Sequence, residues 1–193
     1  MNASHAKRGA VGLAFAIALI TPDLQGARAQ TEPPTSEHTK ELYFDAARAG
    51  RVDLLEGLIK AGMNPNERDP HGYTALILAA NSGQLQAVDF LIASGVDPCA
   101  TDLVGNTALM GVAFRGENKV VARLLSEPCD ANETNNAGRT ALMMAALFGR
   151  IETVKLLMAH GVNPALQDDA GDTALSLAKQ QRNGAIVTLL SGG

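Results

Sequence analysis

The residues able to do chemistry are few and scattered. The chain of 193 residues holds two cysteines, Cys99 and Cys129, and four histidines, His5, His38, His71 and His160. No histidine stands with a cysteine, aspartate or glutamate at a metal-ligand spacing. No serine sits in a nucleophile elbow, and no glycine run has the order of a phosphate cradle. Asp69 and Asp102 hold one turn position, and Asn135 holds the same position further on. Because an amide replaces the acid there, the expected role is bonding to nearby backbone N–H groups rather than acid–base work. Met110, Met143, Met144 and Met158 could bind a soft metal or take up oxidant, but their helical register reads as core filling. What remains is the thiol pair, whose chemistry is disulfide formation. The sequence points away from an enzyme and requires no metal and no cofactor.

The elements that would position these residues repeat. "GYTALILAANSG" begins at Gly72, "GNTALMGVAFRG" at Gly105, "GRTALMMAALFG" at Gly138 and "GDTALSLAKQQR" at Gly171, a constant step of 33. Thr74, Thr107, Thr140 and Thr173 keep the step, as do Leu76, Leu109, Leu142 and Leu175. Each threonine precedes an apolar run and suits a helix N-cap. Leu76, Ala79 and Ala80 give the i, i+3, i+4 spacing of one helical face, and Gly83 suits a left-handed stop. Val88, Leu91 and Ile92 repeat the pattern in a second helix that Gly95 ends. "DPHG" (69–72) is turn chemistry. Five units follow, at about 39–68, 69–101, 102–134, 135–167 and 168–193. The first lacks the Gly-x-Thr start and the last carries Lys179, Gln180, Gln181 and Arg182, so both read as capping units of a solenoid.

The 33-residue period, the Gly-x-Thr-Ala-Leu start, the Ala-Ala pairs (Ala79 and Ala80, Ala145 and Ala146) and the Gly83/Gly116/Gly149 column resemble the ankyrin repeat family. The resemblance implies an all-α solenoid of stacked helix-turn-helix units with β-hairpin-like turns. The sequence departs from the family's Thr-Pro-Leu-His: Ala75, Ala108, Ala141 and Ala174 stand at the proline, and Ile77, Met110, Met143 and Ser176 at the histidine.

The first 29 residues differ from the rest. Lys7 and Arg8 precede an uncharged run, 9–20, and Ala27-Arg28-Ala29 closes the stretch. This is the order of a cleavable secretory signal peptide, too short to span a bilayer; no stable membrane anchor is expected after cleavage. Residues 30–38 read as a polar, disordered leader, ahead of the repeat domain at 39–193. The full chain has a formal charge of −4. Loss of Lys7, Arg8, Arg28 and Asp23 leaves the mature chain more acidic by two charges, which argues against nucleic acid as a partner. The expected location is periplasmic, or secreted.

Export makes a disulfide permissible. Cys99 holds the column of Asn66 and Asn132, and Cys129 that of Met63, Val96 and Val162. Pro128 stands where other units have Gly62, Gly95 and Gly161. Proline cannot take a positive φ and disfavours helix at Glu127, so the helix should stop near Ser126 and the chain should diverge beside Cys129. A bridge needs Cα atoms within about 4.4–6.8 Å. The two readings are a Cys99–Cys129 disulfide, or two small apolar residues at the edge of the core with no bond.

The family's pattern implies that a concave face, lined by hairpin tips and the ends of the first helices, binds a protein partner. The residues it points to are His71, Tyr73, Leu103, Val104 and Asn106 near the tips, with Phe114, Arg115, Arg139, Leu147 and Phe148. Leu103, Val104, Phe114, Leu147 and Phe148 are apolar where water is expected, and such patches with arginine nearby mark interfaces. The expectation is a monomeric, exported binding module that stabilises or localises a periplasmic client. The alternative is a secreted effector that binds host proteins.

Overall fold

Threonine begins four of the helices, and its hydroxyl explains where they start. In the computed structural model, which describes residues 36–192, Thr74, Thr107, Thr140 and Thr173 are all N-caps. Each accepts a hydrogen bond from the backbone N–H three residues on, at 3.1–3.3 Å. The signal peptide read at 1–29 and all of 30–35 lie outside the described residues. Ser36 caps the first helix, which opens at Glu37, ahead of the expected boundary at 39.

The described chain forms ten helices in five pairs: α1 (Glu37–Ala49) with α2 (Val52–Lys60), α3 (Ala75–Asn81) with α4 (Leu85–Ala93), α5 (Ala108–Arg115) with α6 (Asn118–Leu125), α7 (Ala141–Leu147) with α8 (Ile151–Ala159), and α9 (Ala174–Gln180) with α10 (Gly184–Leu190). The first helices pack in series from α1 to α9, and the second helices pack in series behind them. The paired alanines Ala79, Ala80, Ala145 and Ala146 are fully buried and permit this close approach. Buried side chains of successive pairs form two clusters along the stack, one between Tyr43 and Leu124 and one between Met110 and Ile186, and half-buried Leu109 and Leu125 pack against both, as expected where each unit buries its apolar face on its neighbour.

Turns join the pairs in one repeated way. The carboxylate of Asp69 accepts from the N–H groups of His71 and Tyr73, Asp102 from those of Val104 and Asn106, and Asp168 from those of Ala170 and Asp172. Asn135 does the same with Ala137 and Arg139. The column therefore carries turns, as its mixed Asp/Asn occupancy suggests. Adjacent tips are tied by backbone bonds: Leu103 N–H donates to His71 O, Asn136 N–H to Val104 O, and Asp169 N–H to Ala137 O.

The last pair breaks one rule. Gly50, Gly83, Gly116 and Gly149 all have positive φ between the paired helices, and Arg182 takes their place with φ 56°. A side chain in that region costs roughly 1–2 kcal/mol.

Candidate partner-binding groove

One column of the repeat is interrupted by a glycine. Leu78, Met144 and Leu177 hold it in the second, fourth and fifth units, and Gly111 holds it in the third, inside α5. The missing side chain leaves space between α3 and α7. Asn81 reaches into it: a Cβ built on Gly111 would lie 2.0 Å from Asn81 Oδ1. That oxygen is buried and has no hydrogen-bond partner among the described residues.

The remaining space is a groove of about 280 Å³, just below the range of about 300–1,000 Å³ usual for small-molecule pockets. It has room for one or two side chains of a partner. Ile77, Met110, Phe114, Met144, Leu147 and Phe148 supply apolar surface, and Tyr73, Asn81, Asn106 and Arg139 supply the polar part. Phe114 and Phe148 both line it. Their rings meet edge to face, centroids 4.3 Å apart at 79°, a contact worth about 0.5–1.5 kcal/mol. Yet the two residues remain 38% and 45% exposed. They pack on each other and leave part of each ring open to water.

Arg139 is held in place electrostatically. Its Nε donates to Asp168 Oδ2 at 3.2 Å, and the Asp168 side chain is almost wholly buried. Bonds from the backbone N–H of Asp172, then from Arg139 and Ala170, hold the Asp168 carboxyl below the usual carboxylate range. The guanidinium therefore meets the groove with its charge compensated from behind.

Six of the ten residues expected on the binding face line this groove: Tyr73, Asn106, Phe114, Arg139, Leu147 and Phe148. Four do not. His71 faces a separate cleft with Phe44, Arg48 and Asp69. Arg115 belongs to a hollow shared with Asn118 and Arg150, because one residue along a helix turns the side chain by about 100°. Leu103 and Val104 are 70% and 54% exposed on a hairpin tip outside the groove. Met110 and Met144 both line the groove, Met110 buried and Met144 half-buried, whereas Met143 is buried away from it as core filling requires. The sequence reading passed over Gly111; its interruption of a Leu/Met column was the available signal.

In the second helix of the third unit, α6 ends at Leu125 with Ser126 as its C-cap, as Pro128 implies. Cys99 and Cys129 are joined, with sulfurs 2.07 Å and Cα atoms 5.4 Å apart. Among the described residues no helix is long and apolar enough to cross a membrane.

Comparison with known families returns one described as ankyrin repeats (3 copies), which matches residues 34–102 and 109–193. No curated protein matches the sequence.

Proposed function

The chain belongs to the ankyrin repeat family, a family of protein-interaction scaffolds, and from that premise we propose that it is an exported, non-enzymatic module that holds a client protein in the groove between α3 and α7. The observation that carries the reading is the exposed Phe114–Phe148 pair over the gap left by Gly111. Aromatic anchors in a partly apolar depression, with an arginine at hand, have the composition of an interface hot spot. The bound segment presents apolar side chains to the phenylalanines. The client is a periplasmic protein that the module stabilises or localises, in keeping with the export signal read in the first 29 residues.

The test is a pull-down from periplasmic extract with three baits: wild type, Phe114→Ser/Phe148→Ser, and Leu103→Ser. One protein retained by wild type and Leu103→Ser but lost with the double variant supports the groove. Equal recovery on all three baits refutes it. A chain found in the culture medium rather than the periplasm would favour the effector reading over a resident client.

A further inference from the structure

The loops behind the second helices are joined by one device, with one exception. In the first unit Asn66 reaches the next loop: its Nδ2 donates to Gly95 O at 3.2 Å, and its Oδ1 accepts from Asp97 N–H at 2.9 Å. In the third unit Asn132 Oδ1 accepts from Asn163 N–H at 2.7 Å. In the second unit the same column holds Cys99, which has no amide to offer, and the bond to the next loop is the disulfide with Cys129. A covalent link stands where the neighbouring junctions use asparagine.

We propose that the Cys99–Cys129 bond is a redox-controlled staple that sets the firmness of the junction between the second and third units, and through it the groove. Cys99 is exposed and Cys129 half-buried, so a reductant meets Cys99 first. A protein or small-molecule dithiol supplies the electrons. One of its thiolates attacks the Cys99 sulfur, the S–S bond breaks, and Cys129 leaves as a thiolate that takes up a proton. The second thiol of the reductant then closes its own disulfide and releases Cys99 as a thiol. The protein gains two electrons and two protons, and the dithiol is oxidised to a disulfide.

Reduction leaves this junction with neither bond nor asparagine. Pro128 also withholds the helix-ending glycine conformation seen at Gly62, Gly95 and Gly161. The effect reaches the groove by a short path. A cavity of about 30 Å³ beneath the disulfide is lined in part by Thr107, the N-cap of α5, and Thr107 also lines the groove. Three residues beyond Cys99, Asp102 holds the turn that places Asn106 there. The consequence for client binding rests on the proposed function; the staple itself does not.

Hydrogen exchange of the mature chain, with and without dithiothreitol, tests the staple without any client. Reduction should lower protection of the amides in 100–114 by at least about tenfold, with α9 and α10 unchanged. The Cys99→Asn/Cys129→Val chain, built from the protein's own columns, should keep its protection in both conditions. Cys99→Ser/Cys129→Ser should match the reduced wild type throughout. Unchanged wild-type protection, loss spread evenly over all units, or a Ser/Ser chain as protected as the oxidised wild type would each overturn the proposal, and none of these bears on the groove as a binding site.

Discussion

Two sets of columns, read along the same stack, behave in opposite ways. The turn and cap columns barely change: threonine at 74, 107, 140 and 173, and Asp or Asn at 69, 102, 135 and 168. The helix-end columns change at every step: Asn81, Phe114, Leu147 and Gln180 in one, Ser82, Arg115, Phe148 and Gln181 in the next. The constant side chains bond the backbone of their own unit, so each unit needs them for itself. The variable side chains have no such shared role: Phe114, Phe148, Gln180 and Gln181 are exposed, whereas Asn81 turns into the gap at Gly111. On the proposed function, the break in a column, more than the residue type, marks the surface given over to a partner. Gly111 in a Leu/Met column and Cys99 in an Asn column are the two sharpest breaks.

The constant columns predict a larger stability effect than any single helix-end change. Thr140 is buried and caps α7 through the Met143 N–H. Thr140→Val should lower unfolding free energy by about 1–2 kcal/mol, from the lost cap and an unpaired donor. Urea denaturation measures this, and a change below a few tenths would break the distinction between the two sets. A smaller effect of opposite sign is expected where a constant column is violated. Arg182→Gly should raise stability by about 0.5–1 kcal/mol by relieving the positive φ, seen as a higher urea midpoint with an unchanged slope.

Much of this was open to a reader of the sequence, for a physical reason. Caps, left-handed glycines and Asx turns are local, so Thr107, Gly105 and Asp102 declare their roles within a few residues of their partners. Pro128 was legible in the same way, because it acts on Glu127 and the end of α6. Contacts between units were harder. Asn66 shares a column with Cys99, but its bond to Asp97 depends on how far one loop rises above the last, which no local pattern states. The groove was legible as a face and less so as a place. Leu103 and Arg115 belong to the right columns, yet the direction of a hairpin tip and the turn of a helix send them elsewhere. Gly111 was missed because its significance is a side chain it lacks.

The central claim is that the gap at Gly111 is where a partner is held. Its most direct test compares the affinity of wild type and Gly111→Leu for the client recovered by the pull-down, with urea denaturation of both chains. Leucine restores the residue type of its column. It is also the better helix former by roughly 0.8–1.0 kcal/mol, and the atoms nearest its Cβ all belong to the Asn81 side chain. The account predicts stability preserved to within about 1 kcal/mol and affinity reduced at least tenfold, a loss of about 1.4 kcal/mol or more in binding. A stable Gly111→Leu chain that binds the client as tightly as wild type would contradict it.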